Sequence, residues 1–192
     1  DSKDRTILIE THIIREIIPW IDTNYNTKPS RGFRVIQGFS MGGYGASLLA
    51  VKFPELFSVC INYDGGMWNW EDMTSKSRKW QPVAPILFDN DKIYYESNSS
   101  PWKFANINKD KIKGRLQFRI LVGSLGLRLQ KWRNHLNSLE IEMDYVDTEC
   151  RHDLKCLHEK AGDGSFRLMA EQFAKAMASE AKTGEKLKAE GK

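Results

Sequence analysis

Nine consecutive residues, Gly38-Phe39-Ser40-Met41-Gly42-Gly43-Tyr44-Gly45-Ala46, restrict the folds open to this chain more than any other stretch. An apolar, β-prone run (Phe33 to Phe39) leads in and a helix-prone run (Ala46 to Phe53) leads out, so the chain must pass from strand to helix within a few residues. A serine at the middle of such a turn sits in a strained backbone conformation, its hydroxyl raised at the carboxyl edge of a sheet; this is the nucleophile elbow. Gly38 and Gly42, two residues either side of Ser40, are expected to be glycine because side chains there would strike the neighbouring helix and strand. The Met41 amide falls at the N-terminus of the following helix, where it would donate to an oxyanion developing beside Ser40. The plainer reading is a glycine-rich turn with an incidental serine.

With Phe53-Pro54-Glu55-Leu56-Phe57, Ile120-Leu121-Val122-Gly123 and the late pair His152-Asp153, the motif resembles the esterase D type of α/β-hydrolase. That group includes S-formylglutathione hydrolases, feruloyl and other carbohydrate esterases, and mycolyltransferases. The similarity spans most of residues 7–177, with the specific motifs in the first half and almost none in 67–114. It implies an α/β fold, a mostly parallel sheet with flanking helices, and a serine esterase that hydrolyses a small-molecule or carbohydrate ester through an acyl-enzyme without a cofactor. It also implies several strands ahead of the elbow, one bearing the loop for a second oxyanion amide. Nothing before Ser40 supplies them, so the expected sheet lacks its N-terminal strands, as a fragment, one of two pieces or a minimal variant would. An edge strand left open in this way favours association. The competing function is a catalytically incomplete relative that keeps the elbow and binds a carbohydrate or a protein.

A chain of 192 residues suits one domain, read as 1–179 with 67–114 as a cap or insertion and 180–192 as a charged flexible tail. The net charge of +4 is spread among interleaved acids, which gives no footprint for nucleic acid, and no apolar run approaches a membrane span. Three cysteines cannot all pair within one chain. Cys60 lies in an apolar strand pattern as a small core residue, whereas Cys150 and Cys156 flank His152 and would form a short-loop disulfide in a secreted protein. The compartment stays open.

Along the chain, Ile9, Ile13, Ile17 and Ile21, with Ile14 and Ile18 beside them, mark one apolar stripe of a first helix, which Pro19 should kink or interrupt. Ser58 to Tyr63, Leu116 to Val122 and Glu142 to Thr148 read as further strands, the last nearer the sheet edge. Leu129, Trp132, Leu136 and Leu139 keep helical spacing between the last two. Ser165 is placed to cap a final helix, and Ala178 to Lys192 reads as a frayed end.

A serine hydroxyl needs a base in hydrogen-bond reach, and histidine suits because it titrates near neutral pH. Of the four histidines, His12 and His135 fall within helices as surface or packing residues, His152 follows the last strand on the carboxyl edge, and His158 is the fallback. In the resembled family His152 matches the base. The family's acid follows the strand ending at Val122, yet no Asp or Glu lies between Gly114 and Asn137, and Gly126 stands where the aspartate belongs. Asp64, closing the strand after the elbow helix, is the substitute acid; its alternative is to begin the Asp64-Gly65-Gly66 turn. Glu149 and Asp153 are nearer in sequence but share the histidine's own loop. Cys150, His152, Cys156 and His158 also allow a zinc reading, in a spacing that matches no specific ligand pattern, and the expected metal is none. The aromatics Trp68, Trp70, Trp80, Trp102, Tyr94 and Tyr95 would form either the small core of the cap or a pocket for an acyl group or sugar; Trp68, Trp70 and Trp102 are the substrate-binding candidates.

Overall fold

The computed structural model describes residues 1–75 and 83–189, with side chains through 183. Four strands, β1 (Val35–Phe39), β2 (Val59–Tyr63), β3 (Gln117–Val122) and β4 (Met143–Asp147), form one sheet in the order β1-β2-β3-β4, each pair parallel. Parallel neighbours require long crossovers, and helices supply them. The sequence accounts for the gradient across the sheet. β2, a continuous apolar run, is buried at every position, whereas β1 and β4 carry only partly buried and exposed residues. Alternate residues feed opposite faces: Cys60, Phe118, Ile120 and Val122 join one core with Ala46, Ala50, Trp132 and Leu136, while Val59, Ile61, Tyr63 and Leu121 join another with Leu157.

The elbow helix α3 (Met41–Lys52) starts at the residue after Ser40, five positions earlier than its apolar run suggests. The first helix is α1 (Ile9–Thr11), a π-helical turn (His12–Ile17) and α2 (Ile18–Asn24), with Pro19 in the first turn of α2. A continuous α-helix would press the proline ring on the Arg15 carbonyl; the wider turn, in which the Ile18 amide reaches Ile13 O, relieves that clash.

Residues 67–114 have no apolar period but do carry capping residues. Asn69 and Asp72 form a capping box on α4 (Trp70–Thr74); α5 (Val83–Phe88) follows, Asp91 caps α6 (Lys92–Asn98), and Ser100 with Pro101 starts α7 (Pro101–Ile112). Their burial divides the stretch. Met73, Ala84, Phe88 and Tyr95 form a small core of their own, whereas Ala105 and Ile112 of α7 belong to the main core. Asn108 fastens α7 to the elbow helix by donating to Val51 O over 2.8 Å. Met67, at the start of the stretch, also joins the main core. Trp80 lies outside the described residues.

After β3 come α8 (Gly126–Ser138), then β4, α9 (Leu154–Ala161) and α10 (Gly164–Ala189). Two local expectations are corrected. Ser165 lies inside α10 with its hydroxyl buried and unpartnered, so it is no cap. The charged end continues as helix to Ala189, because alternating charges suit an exposed helix as well as a coil. Among the described residues no helix is long and apolar enough to cross a membrane.

Candidate active site

Ser40 occupies the turn between β1 and α3 at φ 57° and ψ −120°, a backbone conformation that L-residues avoid. Its amide donates to Tyr63 O over 3.0 Å, which anchors the elbow to the end of β2. The glycine roles differ from the sequence reading. A Cβ on Gly38 would run into the Gly42 carbonyl, as expected, but one on Gly42 would meet nothing within 4 Å. The second crowded position is Gly43, where a Cβ would lie 2.6 Å from Asn62 Oδ1 and 2.9 Å from the Gly65 Cα. The elbow helix thus approaches the end of β2 backbone to backbone. Asn62, fully buried, locks that junction: its Oδ1 accepts from the Gly65 amide (2.6 Å), and its Nδ2 donates to Ser47 Oγ (2.9 Å) and Gly65 O (3.0 Å).

Asp64, at φ 46° and wholly buried, projects from the end of β2. Its Oδ1 accepts from the amides of Gly123 (2.9 Å) and Leu125 (3.1 Å), on the loop after β3. That loop holds no carboxylate, yet its backbone grips one. A Cβ on Gly123 would lie 2.8 Å from Asp64 Oδ2 and 2.9 Å from Arg151 O, so glycine there makes the room the carboxylate occupies.

His152, on the loop between β4 and α9, has Nδ1 2.7 Å from Asp64 Oδ2 and Nε2 2.8 Å from Ser40 Oγ. An ionised carboxylate only accepts, so Nδ1–H donates to Asp64, leaving Nε2 to accept the Ser40 hydroxyl proton. Phe39 supports the ring in a stack with centroids 4.6 Å apart. The loop is tied at both ends by the disulfide Cys150–Cys156, and Asp153 serves α9 as N-cap by accepting the Cys156 amide at 2.7 Å. The two sulfurs are therefore joined to each other, which takes both cysteines out of the zinc reading.

The other titratable candidates lie elsewhere. His12 meets Glu16 at 2.7 Å on an exposed helix face. His135 has Nε2 3.2 Å from Trp102 O and stacks on Trp132, and burial lowers its pKa against the opposing pull of that carbonyl. His158 packs on the Tyr63 ring. Glu149 holds a turn at φ 57°, and Asp153 is engaged as the cap just described.

Beside the elbow opens an apolar cavity of about 190 Å³, lined by Met41, Tyr44, Leu48, Trp68, Leu87 and Phe88 among others. Of the three tryptophan candidates only Trp68 lines it. Trp70 packs on Tyr95 (centroids 5.5 Å apart), and Trp102 meets Trp132 edge-on at 5.1 Å with its Nε1 donating to Trp68 O. Both are partly buried packing residues, Trp102 against the main core and Trp70 against the small one.

A parallel sheet with a strand–serine–helix elbow, and a hydroxyl, an imidazole and a carboxylate in line at its carboxyl edge, defines the α/β-hydrolase fold. Residues 2–102 match the Esterase family, described as "Putative esterase", and the chain belongs to that family. It is 38% identical over 56 residues to Esterase Rv1288 of Mycobacterium tuberculosis, covering 29% of this chain and 12% of that protein. It is 36% identical over 64 residues to an endo-1,4-beta-xylanase/feruloyl esterase of Xylanibacter ruminicola, covering 33% of this chain and 9% of the other. In structure it superposes on FphF, a fluorophosphonate-binding serine hydrolase of Staphylococcus aureus, with a TM-score of 0.67 at 15% identity over 84% of this chain and 62% of that one. The chain thus spans a small part of the curated relatives and under two thirds of the solved structure.

Proposed function

We propose that this chain carries the catalytic machinery of a serine carboxylic-ester hydrolase working through an acyl-enzyme, with aromatic acyl esters such as feruloylated carbohydrate as the substrate class. The supporting observation is the hydrogen-bonded line Ser40–His152–Asp64, with contacts of 2.8 and 2.7 Å.

Ser40 Oγ attacks the ester carbonyl carbon as its proton passes to His152 Nε2. Asp64 accepts the hydrogen bond from Nδ1–H throughout and stabilises the imidazolium; the Gly123 and Leu125 amides, donating to its other oxygen, keep the carboxylate from turning away. The Met41 amide donates to the carbonyl oxygen as it becomes an oxyanion. Collapse of the tetrahedral species expels the alcohol, which takes the proton from Nε2. Water then attacks the acyl-enzyme carbonyl with His152 as base, releasing the acid and restoring the Ser40 hydroxyl.

The cavity favours an apolar acyl group of limited size. Cavities near 150 Å³ hold one benzene-sized molecule, so about 190 Å³ suits a single ring with a short extension. The name of the Xylanibacter relative, which includes a feruloyl esterase, agrees with this substrate class.

The test is hydrolysis of p-nitrophenyl acetate and methyl ferulate by the purified chain beside Ser40→Ala and Asp64→Ala. The proposal expects turnover in the parent and loss in both variants. A folded but inactive parent contradicts it, and activity surviving in Asp64→Ala removes Asp64 from the acid role.

A further inference from the structure

We propose that Arg128, laid over the Trp68 ring, is a carboxylate-binding subsite that makes the site prefer esters whose leaving alcohol carries a negative charge. This rests on the hydrolase reading above.

Arg128 is unlike the other partly buried arginines. Arg34 pairs with Asp22 at 2.6 Å, Arg119 pairs with Asp144, and Arg31 donates to the carbonyls of Pro54 and Arg115. Arg128 has no carboxylate in ion-pair range among the described residues; its Nε, like that of Arg119, is buried without a hydrogen-bond partner, and its guanidinium carbon sits 4.1 Å from the centre of the Trp68 ring. A cation partly withdrawn from water and left unpaired is a cost to the folded protein. Its helix does not recover that cost, because Arg128 lies in the first turn of α8, where the helix dipole opposes a positive charge. Stacking recovers part of it and fixes the plane of the fork, whose terminal nitrogens match a carboxylate.

Two glycines link its position to the elbow. Gly65 and Gly66 run between Ser40 and Arg128: a Cβ on Gly65 would lie 2.6 Å from Ser40 O, and one on Gly66 would lie 3.3 Å from Arg128 Cδ and 3.5 Å from Trp68 Nε1. The Arg128 amide donates over 3.1 Å to Leu125 O, and the Leu125 amide holds Asp64. Trp68 borders the apolar cavity, whereas Arg128 is not part of its lining. The cavity wall is largely hydrocarbon and suits the acyl group, so a charge reaching Arg128 belongs to the alcohol half.

The experiment compares 4-acetoxybenzoate with its methyl ester, which share the acetyl group and differ in the charge of the leaving phenol. Removing a charge-assisted, bidentate contact should lower the charged-to-neutral ratio of kcat/KM by about 10-fold or more in Arg128→Gln, with partial recovery in Arg128→Lys. An unchanged ratio overturns the subsite. If the parent turns over neither ester, the hydrolase reading fails separately, and calorimetric titration of 4-hydroxybenzoate decides. Binding about 10-fold tighter to Ser40→Ala than to folded Ser40→Ala/Arg128→Gln supports the subsite, whereas equal affinity or no binding to either overturns it.

Discussion

The carboxyl edge of the sheet and the three helices α4, α5 and α6 solve the same problem, placing side chains around one small space, by different means. At the sheet edge the placement is made by backbone. Ser40 and Asp64 each sit at positive φ on the end of a strand, the amides of Gly123 and Leu125 hold the carboxylate, and glycines at 38, 43 and 123 leave room for these approaches. In the helical stretch short elements are held by caps and by a small aromatic core of Phe88, Tyr94, Tyr95 and Trp70. The difference teaches where tolerance lies: backbone approaches accept almost no change, while aromatic packing around a capped turn accepts repacking.

Substitutions at the sheet edge should cost most. Asp64→Asn should lower kcat by about 10³–10⁴-fold while the fold persists. The two amides at Oδ1 keep the new carbonyl oxygen there, so the NH2 group faces His152 Nδ1 and imposes the wrong tautomer; full activity in Asp64→Asn would refute the contrast at its strongest point. Gly43→Ala forces a methyl onto Asn62 and the Gly65 backbone, and should cost about 1–3 kcal/mol in urea unfolding. By contrast Gly42→Ala, whose Cβ meets nothing, should be neutral or slightly stabilising, since alanine is the better helix former.

Replacing both Cys150 and Cys156 by serine opens the short loop that carries His152. Loop-closure entropy gives a loss of about 2 kcal/mol in stability, and kcat should fall more than KM changes, because the loop orients the base rather than the substrate. A smaller loss belongs to the helical stretch: Asn69→Ala, which removes the capping box of α4, should cost about 1 kcal/mol and raise KM for methyl ferulate with little change in kcat.

Legibility in the sequence follows the same division. The strands were readable because their apolar runs are short and bounded by turn formers, and β2 is buried as its composition suggests. The elbow, the Asp64 turn and the His152 loop each announce a strand end, so their arrival at one edge follows from parallel topology. What no pattern carried was close approach. Nothing in the order of residues says that Gly43 is the crowded glycine while Gly42 is free, or that Gly123 faces a carboxylate 59 positions away in the chain. Likewise α7 hides its place in the main core because it contributes Ala105 to that core and reaches α3 through Asn108, small and polar residues that weaken the apolar period. Trp70 and Trp102 have the composition of pocket residues and the surroundings of packing residues, a distinction that only neighbours can make.

The central claim is that Ser40 is a nucleophile activated through His152 by an acid displaced to the end of β2. Intact-mass and peptide mass spectrometry after exposure to a fluorophosphonate tests it directly, with the parent beside Asp64→Asn. A single adduct on the Ser40 peptide is expected in the parent, with labelling at least about 100-fold slower in Asp64→Asn. A folded parent that takes no adduct, takes it on another residue, or labels at the same rate without the Asp64 carboxylate would contradict it.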